Sequence, residues 1–191
     1  MNYEQKNFDQ LLGMKGFSDT MLTNHFTLYA GYVKNVNTVM ELLKTTKVSS
    51  PEYNELKRRF GWEWDGMRMH ELYFGNMTKD ATKKTTTKDS VFEIAFTKSF
   101  ETYEKWAEDF KGSAMIRGIG WVVLAQDLAT GALFNVWVGE HDEGHLVGAK
   151  ALLVMDCWEH AYMTDYGIKR ADYVNIFMES IDWFEVERRI I

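Results

Sequence analysis

A chain of 191 residues, 46% hydrophobic and 15% aromatic, is long enough to bury a substantial core as one domain or two small ones. Its formal charge of -6 argues against general nucleic-acid binding, which draws on basic surface to displace counterions from phosphates, although a metal ion or nearby Lys and Arg could still present a local positive field to a small anion. One cysteine, Cys157, excludes a disulfide framework and a cysteine-rich zinc site; the first residues carry no basic-then-apolar leader and no apolar run nears the ~20 residues of a membrane span, so a soluble, cytoplasmic protein is expected.

Residues 1–20 are polar, with Gly13, Gly16 and Phe17-Ser18-Asp19, and read as an irregular lead-in to a helix cap on Ser18 or Asp19. Leu22, His25, Phe26, Tyr29, Val33, Val36 and Met40 then recur at three- and four-residue spacing, the apolar face of a long helix, with His25 on that face. From spacing alone, a core histidine satisfied by a hydrogen bond and a metal ligand are both open. Pro51, the only proline, suits the first turn of a second helix whose buried face runs through Phe60, Trp64, Met67, His70, Phe74 and Met77. Two antiparallel helices, each with an inward histidine, form half of a metal site. Gly61 and Gly66 each cost that helix ~1 kcal/mol against alanine and imply close approach by something else; Gly66 lies one turn before His70.

Residues 78–89 have no apolar period and place a domain boundary there, dividing the chain into 1–84 and 85–191. Lys79, Lys83, Lys84 and Lys88 in this stretch read as a solvated linker in preference to an anion-attracting patch. Ser90-Val91-Phe92-Glu93 is a capping box, and Phe92, Phe96, Phe100, Tyr103, Trp106 and Phe110 predict a third amphipathic helix. Trp121 to Ala125, Leu133 to Val138 and Ala151 to Met155 read as three strands, the first two joined as a hairpin through Asp127 to Gly131. The loop Gly139 to His145 has two histidines among acids, but its two glycines rule against the helix that a separate zinc or calcium site would need. In the final helical region Asp172 is the expected cap, and Asp182-Trp183-Phe184-Glu185 repeats the capping box.

The third strand runs into Asp156, with His160 four residues on, so a carboxylate and an imidazole share one bend. A buried Asp–His hydrogen bond would give the same spacing. The longer run Asp156-Cys157-Trp158-Glu159-His160-Ala161-Tyr162, followed by Asp165-Tyr166, Arg170 and Asp172-Tyr173-Val174-Asn175, resembles the signature of the iron/manganese superoxide dismutases. The resemblance implies an α+β fold: a long antiparallel N-terminal helical hairpin plus a C-terminal α/β domain with a three-stranded antiparallel sheet. It implies one iron or manganese ion per subunit, iron favoured, on His25, His70, Asp156 and His160, with superoxide as substrate. Asn24-His25 and Tyr32-Val33-Lys34-Asn35-Val36-Asn37 carry the first-helix motif with one residue fewer between histidine and Tyr-Val, which puts Asn24 in competition with His25; asparagine is the poorer ligand. Met69-His70-Glu71-Leu72-Tyr73-Phe74 carries the second, with Arg68 and Met69 departing from the family's usual Trp and Asn.

By the same resemblance Tyr32 is the gateway tyrosine, and Trp121 and Trp158 are walls excluding water. His141 stands for the outer residue that hydrogen-bonds the solvent on the metal, opposite the side chain missing at Gly66. Such a partner would let one proton accompany each electron, so that the buried charge stays constant. Glu159 and Tyr162 match residues at a homodimer interface, while Tyr29 replaces a histidine of that network. Open alternatives are a metal-binding relative with another redox or hydrolytic activity, and a metal-free structural homologue.

Overall fold

The structure is a computed structural model and describes residues 2–80, 82 and 86–191. Two long helices, α1 (Asp19–Thr45) and α2 (Pro51–Gly75), pack against each other as an antiparallel pair. Each starts at a serine whose hydroxyl accepts an otherwise unpaired first-turn N–H: Met21 N to Ser18 Oγ at 3.1 Å, and Tyr53 N to Ser50 Oγ at 3.2 Å, with Pro51 following. The lead-in contributes more than its polarity suggests. Phe8, Leu11, Met14 and Phe17 are buried around a short 3-10 turn at Asp9–Leu11, and Tyr3 exchanges two hydrogen bonds with Asn37 of α1, at 2.8 and 2.9 Å.

The single third helix predicted from the aromatic period is two, α3 (Val91–Phe100) and α4 (Tyr103–Ala114). Glu101 takes a positive φ of 67°, and Thr102 accepts the Lys105 N–H at 3.3 Å to start the second helix. The bend lets Phe96 from one helix and Trp106 from the other close on Trp183, with ring centroids 6.2 and 5.2 Å away. An unbroken helix could not turn both aromatic faces to one partner.

Strands β1 (Gly120–Asp127), β2 (Leu133–Gly139) and β3 (Ala149–Asp156) form an antiparallel sheet in the order β2-β1-β3, each a residue or more longer than its apolar run. Trp121 on the central strand pairs with both Val138 and Asp156, which sets the functional end of the sheet. A 3-10 turn (Glu159–Ala161), α5 (Met163–Tyr166), α6 (Arg170–Glu179) and α7 (Trp183–Arg188) complete the chain. The cap expected at Asp172 is not there: α6 begins at Arg170 after Lys169, and Asp172 lies in the first turn, where a carboxylate still favours the helix dipole. Asp182 does cap α7, through the Glu185 N–H at 3.0 Å.

The expected boundary between residues 84 and 85 falls beside Lys83, Lys84 and Thr85, which lie outside the described residues. Of the expected solvated lysines, Lys79 donates to the Leu12 carbonyl at 2.7 Å. Across the two halves, Asn76 at the end of α2 pairs with Val154 like an extra strand residue, accepting its N–H at 2.8 Å and donating to its carbonyl at 3.1 Å. Buried Arg189 donates to the Asn76 side chain and to the Leu152 and Leu72 carbonyls. α2 and β3 are thus held in one register, and with them His70 and Asp156. Among the described residues no helix is long and apolar enough to cross a membrane.

Candidate metal centre

His25 of α1, His70 of α2, Asp156 at the end of β3 and His160 in the following turn bring one donor atom each to within 4.8 Å of one another. Asp156 Oδ2 lies 3.1 Å from His25 Nε2, 3.1 Å from His160 Nε2 and 3.7 Å from His70 Nε2. His25, His70 and Asp156 are buried, whereas Asn24 is exposed, so the one-residue shortening of the first motif still leaves the histidine facing inward.

The hydrogen bonds around these groups fix their protonation. His70 Nδ1 donates to the Gly66 carbonyl one turn back, at 2.6 Å, so its Nε2 is a bare lone pair; that atom is buried and has no hydrogen-bond partner. Burial holds both His70 and His25 below the ordinary imidazole range, keeping them neutral. Burial pushes the Asp156 carboxyl up, but His160 and His25 more than reverse it, leaving it far below the usual carboxylate range. A buried carboxylate facing three imidazoles, one with an orphaned lone pair, fits a cation with nitrogen and oxygen donors. The outer contacts fit as well: the Trp158 N–H donates to Asp156 Oδ1 at 2.8 Å, and Tyr73 hydrogen-bonds Tyr173, which donates to the Asp156 carbonyl.

Tyr32 and His141 lie beside this cluster. Tyr32 stacks on His70 with centroids 5.1 Å apart, and its hydroxyl is 2.7 Å from His141 Nε2. Trp121 Nε1 donates to His141 Nδ1 at 3.1 Å, and Trp158 stacks on the His141 ring at 4.7 Å. Gly66 is needed for this: a Cβ there would sit 2.6 Å from Tyr32 Cδ1. The glycine therefore makes room for the Tyr32 ring. His145 is exposed and donates to the His141 carbonyl at 2.8 Å; the loop forms no separate site among the described residues, where the cluster above is the one convergent set of three or more ligand groups.

Tyr29, Arg68 and Met69 have other tasks. The Tyr29 hydroxyl bonds the buried Glu71 carboxylate at 3.1 Å, and Arg68 and Lys6 pair with the same carboxylate at 2.7 and 2.9 Å. Arg68 also lies over the rings of Tyr3 and Trp64, while Met69 is in the core. Sequence reading passed over Trp62, which packs against His141 at 4.5 Å and Tyr32 at 5.6 Å and donates to Glu140. Its position one turn before Gly66 was the available signal.

The model of the iron/manganese superoxide dismutase C-terminal domain matches residues 87–189. The chain belongs to the iron/manganese superoxide dismutases. Over most of the chain, a manganese superoxide dismutase of Haloferax volcanii is 32% identical over 176 residues, covering 90% of this chain and 86% of the relative. An iron superoxide dismutase of Cupriavidus metallidurans is also 32% identical, covering 89% and 86%. One of Aquifex pyrophilus, named for iron, is 30% identical over 192 residues, 92% of this chain and 85% of its own. Equal similarity to manganese-named and iron-named members of this superoxide dismutase family implies one ion of either kind.

Proposed function

We propose that this chain converts two superoxide anions and two protons to dioxygen and hydrogen peroxide at a single iron or manganese ion held by His25, His70, Asp156 and His160. The orphaned Nε2 of His70, aimed at a buried carboxylate in a chain of this family, is the observation that carries the reading. The bound ion supplies alternate one-electron oxidation and reduction, so that each superoxide meets a different half of the cycle.

The protein's residues set the conditions for that exchange. As metal ligands, three imidazoles and one carboxylate contribute a single negative charge, which leaves a di- or trivalent ion electropositive toward an anion although the whole chain is acidic. The Gly66 carbonyl holds the His70 tautomer, and the Trp158 N–H and Tyr173 hold Asp156, so the donors need not reorganise between states. Trp62, Trp121 and Trp158 surround the Tyr32–His141 pair and keep bulk water from it, leaving Tyr32 and His141 as the proton-handling groups.

The same donors accept either metal and outer contacts tune the potential; of the two, iron is our preferred ion. We place the enzyme in the cytoplasm as a homodimer through exposed Glu159 and neighbouring Tyr162; exposed Met163 and Ile168 beside them support an interface there. Metal-by-metal reconstitution with a superoxide-removal assay tests the function. Stoichiometric metal without superoxide removal would point to a different redox or hydrolytic activity, and no stoichiometric metal to a structural homologue.

A further inference from the structure

Away from the metal cluster, a groove of about 640 Å³ opens between α3, the start of β2 and Ile190 and Ile191, a size ordinary for a small-ligand site, ~300–1,000 Å³. Its walls are apolar, formed by Val91, Ile94, Ala95, Leu133, Phe134 and Ile190. α3 buries Phe92 and Phe96 in the core but leaves Val91 and Ile94 66% and 61% exposed, beside Phe134 of the edge strand β2 at 47%. Large apolar side chains are costly to leave in water, and a contiguous group of them marks a surface that something else covers. Ile191 exchanges two hydrogen bonds of 3.1 Å with the Gln126 side chain, which holds that wall in place.

The polar groups of the groove decide what kind of molecule fits. Lys98 and Ser99, in the last turn of α3, both line it. Ser99 Oγ accepts the Leu133 N–H at 2.9 Å, and its own hydrogen has no acceptor among the described residues; nor does the Lys98 ammonium have a carboxylate partner among them. Asp109, the one acidic side chain of the lining, stands on α4 and accepts Asn135 Nδ2 at 2.7 Å. The end of α3 thus offers unspent donors and a positive charge beside an apolar floor. That is the complement of an anionic, acceptor-only head on an alkyl tail.

We propose that this groove binds a medium-chain aliphatic carboxylate, with its tail along Ile94, Ala95 and Ile190 and its head at Lys98 and Ser99. The site shares no residue with the metal centre and does not rest on the function proposed above.

Isothermal titration of the metal-loaded protein with decanoate, below its micelle-forming concentration, is the test. One equivalent is expected to bind saturably, and octanoate more weakly, by roughly two- to fourfold for each methylene removed. Decyltrimethylammonium, with the same tail and the opposite charge, should bind more weakly than decanoate. Lys98→Glu should weaken decanoate roughly two- to fivefold, a modest loss because the ammonium is exposed, and should narrow or reverse the preference between the two head groups. Ala95→Trp, which fills the groove, and Ile94→Glu, which sets a carboxylate on its wall, should each abolish decanoate binding without changing metal content. No saturable binding, equal or tighter binding of the ammonium by the wild-type protein, or decanoate binding that survives either wall substitution overturns the proposal. So does self-association: a larger species in sedimentation velocity that Ile94→Glu removes and decanoate does not would assign the groove to a second copy of this chain. If Ala95→Trp does not fold, Ile94→Glu, at an exposed position, decides alone.

Discussion

Gly61 and Gly66 sit on the same helix five positions apart, and replacing each by alanine should move stability in opposite directions. An alanine in place of a helical glycine gains up to ~1 kcal/mol, because the glycine gives up more backbone freedom on folding. At Gly61 a Cβ would meet nothing within 4 Å, so Gly61→Ala should collect that gain. At Gly66 the Cβ would stand 2.6 and 2.7 Å from Tyr32 Cδ1 and Cε1. The ring cannot swing aside freely, since it stacks on His70 and its hydroxyl is tied to His141. Overpacking of this kind costs ~1–3 kcal/mol, and a broken Tyr32–His141 bond adds ~1 kcal/mol. Gly66→Ala should then be net destabilising by about 1–3 kcal/mol, with the two variants separated by on the order of 10 °C in Tm for a chain of this size. Thermal and urea melts on metal-free protein read this without linkage to metal binding. If Gly66→Ala were stabilised as much as Gly61→Ala, Tyr32 would not be packed on that glycine, and the account of the site's outer wall would fail.

His160→Ala should lose stoichiometric metal, measured by elemental analysis after dialysis, because it removes one of four donors and opens the exposed side of the cluster. His141→Ala should keep the metal yet show altered superoxide removal or redox behaviour; unchanged kinetics would remove His141 from the proton-handling pair. Arg189→Ala should destabilise by ~2–4 kcal/mol in urea, since it leaves acceptors at the end of α2 and on β3 without their buried donor. Cys157, whose thiol burial pushes up to about 12, should resist alkylation in native protein at mildly alkaline pH and react once unfolded, a difference that mass spectrometry resolves; prompt native labelling would contradict its burial.

The features legible in the sequence were those with a period or a run. The 3.6-residue repeat through Leu22, His25, Tyr29 and Val36 marked α1 and turned His25 inward, and the apolar strand ending in Asp156 put that carboxylate at the sheet's end. Phe8, Leu11 and Phe17 carried no period, because an irregular segment buries side chains one at a time, so their place in the core was missed. The break at Glu101 was hidden for the opposite reason: two short helices continued one aromatic period, and only a positive φ beside a threonine cap divides them. Gly66 announced a close approach without naming Tyr32 as what approaches. Asn76 gave no signal, since its use in holding Val154 depends on a strand 78 residues away.

The burial pattern of the four donors also constrains how an ion could reach them. His25, His70 and Asp156 have side chains at most 1% exposed, and only His160, at 22%, reaches solvent. They are drawn from three separate stretches that meet only when helix pair and sheet are docked. Loading and exchange should therefore follow opening of the structure: whichever metal is abundant while the chain is still assembling becomes its long-term occupant, and a chelator added afterwards would wait on the rate of unfolding.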